Sequence, residues 1–181
     1  MITFVAAAFA LVATVAAVTA TPRAIDPARS HASLRVQHVW VEHVTGNVPI
    51  MSGTVTLAAG SRIPASAQAV LDATRIDTGE PDRDRSLESA DFFDVQRYPR
   101  WTFASTRIVP QGTGAFEMDG DLTIHGVTQP QRVNVTIGGS ASSPIYHATA
   151  QVNRHAFGMA TTRLDPTIGE TVDVTLDIAL K

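Results

Sequence analysis

Apolar and polar residues alternate with a period of two along most of the chain after Ser33. The clearest example is the C-terminal run, where one face carries Val172, Val174, Leu176, Ile178 and Leu180. Such alternation is typical of a β-strand with one buried face. Similar patterns occupy residues 34–40, 51–57, 67–76, 101–109, 116–124, 132–137 and 145–152. We therefore predict an all-β domain of about eight strands.

Short turns separate these runs, and most of them contain glycine. The breaks include Gly46-Asn47, Gly60-Ser61, His125-Gly126 and Gly138-Gly139. Short connections join antiparallel neighbours as hairpins. Eight such strands can bury their apolar faces and remove exposed edges by closing into a barrel, which leaves room inside for one small ligand. The prediction is an eight-stranded antiparallel barrel.

One segment between the third and fourth predicted strands departs from this pattern. Residues 77–99 are too many and too polar for a hairpin loop, and residues 82–89 are mostly charged. Phe92 and Phe93 follow directly. Loops of this length are usually functional or disordered, and the paired rings argue against disorder. We predict a short helical excursion whose two phenylalanines face the barrel.

The N-terminal segment has the pattern of an export signal. Residues 2–18 are apolar except for Thr3 and Thr14, and Val18-Thr19-Ala20 places small residues where a signal peptidase requires them. Residues 1–20 are therefore predicted to be a signal peptide and residues 21–181 the barrel domain. No basic residue precedes the apolar run, which is also long enough for an uncleaved anchor. Either alternative places the domain outside the cytoplasm.

The composition narrows the functional classes. The net charge is −3, charged residues make up 17%, and no basic cluster is present, so nucleic acid is not an expected partner. The chain has no cysteine, which excludes disulfides and thiolate metal sites. It also lacks the sequence patterns of phosphate-binding loops, zinc proteases and serine hydrolases. We expect no enzyme activity, no cofactor and no metal.

An ordered series of motifs identifies the chain as similar to the YceI-like family of polyisoprenoid-binding proteins. The series begins with Ile25-Asp26, Ser30, Val36 and His38, and it ends with Asn153-Arg154 and Phe157-Gly158-Met159. Between them lie Ile76-Asp77-Thr78, Arg83-Asp84, Leu87, Asp91-Phe92-Phe93-Asp94, Tyr98-Pro99, Thr102-Phe103 and the strongest match, residues 120–128 (GDLTIHGVT). Two positions depart from the pattern: Arg29 and Ser86 stand where the family often has histidine. These losses weaken the case for histidine chemistry in this chain.

The resemblance implies a lipocalin-like, eight-stranded barrel in the periplasm with an elongated apolar cavity. Proteins of this kind bind long amphiphiles, such as polyisoprenoid chains, quinone tails, fatty acids or fatty amides. The candidate ligand-binding residues are Leu34, Val36, His38, Arg83, Phe92, Phe93, Trp101, Phe103, Phe116 and Phe157. Each has a structural alternative: His38 as a hydrogen-bonded core residue, Arg83 as an ion pair with Asp84, and each aromatic ring as plain core.

We therefore expect a carrier or sequestering protein for a long-chain lipid. One alternative is a hydrolase or isomerase acting on such a lipid through His38 and a carboxylate such as Asp84. Another is an adaptor that binds a membrane partner. A transient membrane contact and a homodimer stay open, as does the identity of the lipid.

Overall fold

The computed structural model describes residues 20–38, 42–159 and 167–181. The predicted signal peptide therefore lies outside the described residues, apart from Ala20. None of the helices in the described residues combines the length and the apolar composition that a membrane span requires.

Strands dominate the described part of the chain, which contains ten of them with one α-helix and two 3₁₀ helices. The 3₁₀ helices cover Ala73–Arg75 and Arg154–Phe157. The other elements are β1 (Ala20–Ala24), β2 (His31–His38), β3 (Glu42–Asn47), β4 (Ile50–Ala58), β5 (Pro64–Asp72), α1 (Pro81–Glu88), β6 (Arg100–Pro110), β7 (Ala115–Ile124), β8 (Val127–Gly139), β9 (Pro144–Asn153) and β10 (Ile168–Ala179).

All strands belong to one antiparallel sheet, in the order β1-β4-β5-β6-β7-β8-β9-β10-β2-β3. The predicted antiparallel all-β class is thus confirmed, but the predicted count of eight strands is too low. A turn at Asp26–Arg29 separates β1 from β2, and Val48-Pro49 separates β3 from β4. Proline has no N–H to donate to a ladder, so Pro49 favours this break. The ten strands therefore correspond to eight long ones, two of which are broken.

The sequence pattern missed β3 because this strand does not alternate. Val44 and Gly46 lie on its cavity side, and glycine contributes no apolar side chain there. A Cβ at Gly46 would lie 3.0 Å from Cγ2 of Thr78, so the missing side chain allows residues 77–79 to pack against the strand. Asn47 and Asp77 also exchange backbone hydrogen bonds of 2.8 and 3.0 Å.

The sheet curls around an interior cavity. At one edge, Ile25 bridges to Leu180, and the Lys181 N–H donates to the Ala24 carbonyl at 2.9 Å. These bonds join the end of β1 to the end of β10. At the other edge, Asp77 and Thr78, which belong to the long connection between β5 and β6, pack beside β3. The end of the barrel that carries the connection between β5 and β6 and the β7–β8 turn is called the rim. The opposite end, which carries the β4–β5, β6–β7 and β8–β9 turns, is the base.

Two buried clusters occupy the two ends. The base cluster includes Phe116, Val135, Tyr146, Ile178 and Leu180. The rim cluster includes Val48, Ala73, Trp101, Phe157 and Met159. The helical turn predicted within residues 77–99 is present as α1, and Phe92 and Phe93 line the interior as expected. The strand predicted over residues 67–76 instead ends at Asp72, and residues 73–75 form the first 3₁₀ helix. The interior between the two clusters is available for a ligand.

Candidate functional site

A cavity of about 520 Å³ lies inside the curled sheet. This volume falls within the range of roughly 300–1,000 Å³ that is usual for ligand pockets. Its wall is almost wholly apolar, because the inward-facing residues of the strands are mainly valine, leucine, isoleucine and alanine. Strand alternation places these side chains on one face, so the binary pattern of the sequence directly produces an apolar lumen.

Small residues keep the lumen open. Ala67 and Ala69 on β5 and Ala148 and Ala150 on β9 line the cavity. Large side chains at these positions would fill a barrel of this size. Not every alanine of the strands contributes, since Ala104 lies exposed on the outer face. The void therefore depends on small residues at particular inward positions and not on alanine content as such.

The aromatic part of the wall lies near the rim. Phe92, Phe93 and Trp101 line the cavity there, with the Phe93 and Trp101 ring centroids 4.6 Å apart and their planes tilted by 58°. The Trp101 indole N–H is buried and has no hydrogen-bond partner in the described residues. These rings bring the excursion and β6 together as one wall of the cavity.

A cationic group also lines the cavity at the rim. The Arg83 Nε donates to the Thr78 hydroxyl at 2.9 Å, and Nη2 donates to the Thr78 carbonyl at 3.2 Å. The Asp84 carboxylate does not pair with Arg83; its Oδ1 accepts from the Thr78 N–H at 2.9 Å and from the Thr78 hydroxyl at 2.5 Å. Arg83 forms no ion pair with any carboxylate of the described chain. The guanidinium is thus fixed in position with its charge not neutralised.

His38 lines the same end of the cavity and is half-buried. It lies opposite Ile168 in the β2–β10 ladder. Asp84, the carboxylate considered as its catalytic partner, does not line the cavity. The structure therefore places His38 but not Asp84 on the cavity wall.

A second arginine at the rim has a structural task. Arg154 is 5% exposed, and its guanidinium donates to the carbonyls of Gly169 and Ile168, both at 2.9 Å, and to the carbonyl of Met159. These carbonyls lie on either side of residues 160–166, so Arg154 holds the end of β9 to the start of β10. Between β9 and residues 160–166 the chain forms a 3₁₀ helix, whose first turn is capped by the Asn153 side chain, which accepts from the His155 N–H at 2.9 Å.

The wall between β8 and β9 contains a polar bridge that the sequence analysis missed. The β8–β9 ladder ends at the pair Asn134 and Thr149. Beyond this pair, towards the rim, β8 and β9 no longer form a ladder. There the Gln131 side-chain amide donates to the Gln151 carbonyl at 3.1 Å, and Gln131 also lines the cavity. Pro130, which has no N–H, lies in this stretch of β8 where no β9 partner is present.

Eight of the ten predicted ligand-binding residues lie on the cavity wall, and their binding role stays a prediction. They are Leu34, Val36, His38, Arg83, Phe92, Phe93, Trp101 and Phe103. Phe116 and Phe157 do not line the cavity, because Phe116 is packed in the base cluster and Phe157 in the rim cluster. The wall also includes residues that were not predicted, among them Thr78, Ser86, Leu87, Gln131 and Met159.

Comparisons with known proteins agree with this architecture. The family model for the YceI-like domain matches residues 24–180. A UPF0312 protein of Vibrio parahaemolyticus is 32% identical over 122 residues, which cover 66% of this chain and 65% of the relative. A UPF0312 protein of Shewanella baltica is 30% identical over 130 residues, covering 71% and 68%.

Solved structures show the same fold. Burkholderia cenocepacia BcnA superposes with a TM-score of 0.80 at 23% identity, covering 87% of this chain and 99% of BcnA. A polyisoprenoid binding domain from Saccharophagus degradans superposes with a TM-score of 0.65 at 16% identity, covering 87% and 97%. Together with the family match over nearly all described residues, these findings establish that the chain belongs to the YceI-like family.

Proposed function

We propose that this protein binds a long-chain amphiphile inside the sheet and acts as a periplasmic carrier or sequestering protein. The observation that carries the proposal is the cavity of about 520 Å³, which has an apolar wall and a cation at its rim. The name of the Saccharophagus relative, a polyisoprenoid binding domain, supports the same class of ligand.

Burial of an apolar chain supplies the driving force. Each methylene moved out of water contributes about 0.8 kcal/mol, so ten methylenes contribute roughly 8 kcal/mol. The loss of translational and rotational freedom on binding offsets part of this gain. The net affinity is therefore far below this sum, and it grows with the length of chain that is buried. A polyprenyl chain or quinone tail is the first choice of cargo, and fatty acids or amides are the second.

Arg83 determines the orientation of the ligand in the cavity. An apolar cavity takes an alkyl or prenyl chain, while the guanidinium at the rim offers N–H donors to an oxygen-bearing head group. Because no carboxylate of the described residues neutralises Arg83, an anionic head group there would gain a charge-assisted hydrogen bond. The ligand is therefore oriented with its chain towards the base and its head group at the rim.

We propose binding and not catalysis. A hydrolase or isomerase would need a base within hydrogen-bond reach of its partner in the cavity. Asp84 lies outside the cavity wall, and its Oδ1 accepts two hydrogen bonds from Thr78.

We propose a periplasmic location because residues 1–20 have the pattern of a signal peptide. N-terminal mass analysis of the exported protein should find Thr21 as the first residue; a retained apolar segment would indicate an anchor.

Native mass spectrometry of the protein purified from cells, with identification of extracted lipid, tests the function. We expect a co-purifying long-chain species in the wild type and its loss in Ala150→Phe, which fills the lumen. Thr149→Phe is the matched control, because Thr149 is exposed on the outer face of the same strand. Wild-type protein that carries no lipid and binds none in vitro would refute the proposal and leave the adaptor alternative.

A further inference from the structure

The cavity has a defined floor along β7, β9 and β10. On β7, Met118 lines the cavity but Phe116, two residues nearer the base, does not. The same step separates lining from non-lining residues on two further strands. The pairs are Ala148 and Tyr146 on β9, and Leu176 and Ile178 on β10. One layer of side chains thus closes the lumen along this part of the sheet.

This floor is a packed layer. Phe116 is 3% exposed and Tyr146 is 4% exposed, with ring centroids 6.1 Å apart in an edge-to-face arrangement. The Tyr146 hydroxyl donates to the Arg62 carbonyl at 3.0 Å, which ties the ring to the β4–β5 turn at the base. Val135 and Ile178 complete the layer. A floor of interlocked rings of this kind resists displacement by an entering chain.

The space above the floor is kept open by glycine. A Cβ at Gly120 would lie 2.4 Å from Cζ of Phe103, so the Phe103 ring lies against bare backbone of β7. Gly53 does the same for Ile25, whose Cδ1 would lie 2.4 Å from a Cβ at that position. Both large side chains therefore lie along the wall, and the lumen stays wide down to the floor.

The depth of the chamber follows from the strand geometry. Six residue steps separate Met118 from Ile124 on β7, and eight separate Leu176 from Ile168 on β10. At about 3.4 Å per residue and a tilt of about 40°, these spans give a depth of roughly 16–21 Å. An extended alkyl chain advances roughly 1.3 Å per carbon, given C–C bonds of about 1.5 Å at tetrahedral angles.

We propose that the floor limits the length of the bound chain: the chamber accepts one extended chain of about 12–16 carbons, or about three to four isoprene units of a longer prenyl chain. This inference rests on the proposed function, and it adds a length limit to the same site. Chain beyond that length stays at the rim. Met118 and Ala148, which lie directly above the floor, are the residues that determine the limit.

A series of saturated fatty acids of roughly eight to twenty carbons, measured by calorimetry, tests the limit. We expect affinity to rise about fourfold per added carbon, the ratio that methylene burial predicts. Beyond about 12–16 carbons the increase should stop, because further methylenes no longer enter the chamber. Met118→Ala removes three heavy atoms at the floor and should move this break two to three carbons longer, to about 14–19.

Ala148→Leu adds three heavy atoms at the same level and should move the break by a similar amount to shorter chains. Thr149→Leu, on the outer face, should leave it unchanged. Because the two lumen variants act in opposite directions, a folding defect in one leaves the other as a test. Affinity that rises without a break, or a break that neither variant moves, overturns the length limit while leaving lipid binding intact. Failure of every chain to bind would instead overturn the proposed function.

Discussion

Replacement of Gly120 by alanine tests the packing that forms the cavity. A Cβ at this position would lie 2.4 Å from Cζ of Phe103 and 2.6 Å from the Ala104 carbonyl oxygen. The ring can move, but the carbonyl belongs to the paired strand β6 and moves only with the backbone. Overpacking by one methyl group in a tight interior costs roughly 1–3 kcal/mol. We therefore expect Gly120→Ala to lower the free energy of unfolding by about 2 kcal/mol.

Gly114→Ala is the matched control. Nothing lies within 4 Å of a Cβ at Gly114, and neither glycine has a positive φ angle. Alanine there should be neutral or stabilise by about 0.4–1 kcal/mol, because it restricts the unfolded chain. Urea unfolding measures both variants. With a slope of about 2 kcal/mol per molar urea, Gly120→Ala should lower the midpoint by about 1 M, whereas Gly114→Ala should leave it unchanged or raise it by up to about 0.5 M.

A second substitution separates the two contacts of Gly120. Phe103→Leu in the Gly120→Ala background removes the ring contact but leaves the contact with the Ala104 carbonyl. We expect Gly120→Ala to lower the unfolding midpoint less in the Phe103→Leu background than in the wild type. Equal midpoints for Gly120→Ala and the wild type would show that Phe103 does not lie against the β7 backbone, and the described shape of the lumen would then be wrong.

Three further predictions concern charged groups. Arg83→Gln should weaken binding of a fatty acid about tenfold more than binding of the matching alcohol, as expected for a lost charge-assisted hydrogen bond, while Arg85→Gln on the same helix should not discriminate in titrations of both ligands. Arg154→Met should lower the free energy of unfolding by at least about 2 kcal/mol in urea, because it leaves buried carbonyls without donors. The hydrogen bond from Arg132 lowers the pKa of Asp119, so this pair contributes stability above the ordinary aspartate range that is lost as pH falls through the folded-state pKa. The thermal midpoint of Asp119→Asn should therefore fall less steeply than that of the wild type below about pH 4; an identical slope would contradict this.

The fold was predictable because period-two patterning is a local property of the sequence. Strands such as β10, in which every inward residue is branched and apolar, can be identified without neighbours. The missed strands lack this local signal. β1 has Pro22 and Arg23 among its five residues, and β3 has Gly46 on its inner face. Both are strands because their neighbours supply hydrogen-bond partners, which the sequence does not display.

The cavity wall was predictable only in part, for a related reason. Alternation tells which face of β7 is inward, and it treats Phe116 and Met118 alike. Met118 lines the cavity and Phe116 does not, because they lie at different depths along the barrel axis. That depth is determined by the register of several neighbouring strands, which the sequence of β7 alone does not specify. Phe157 illustrates a second limit, because it lies in a 3₁₀ helix where strand alternation does not apply. Polar wall residues such as Gln131 carried no apolar signal and escaped notice.

Selection for stability alone would not produce the empty cavity. An empty apolar space forfeits dispersion contacts along its lining, so a sequence optimised for stability would fill it. Here inward alanines on β5 and β9 withhold side-chain volume, while Gly120 lets a large ring lie along the wall instead of across the lumen. The base, by contrast, is packed with interlocked rings. Dense packing at the two ends, with small residues on the wall between them, is the distribution expected when the space serves a ligand whose own atoms replace the missing contacts.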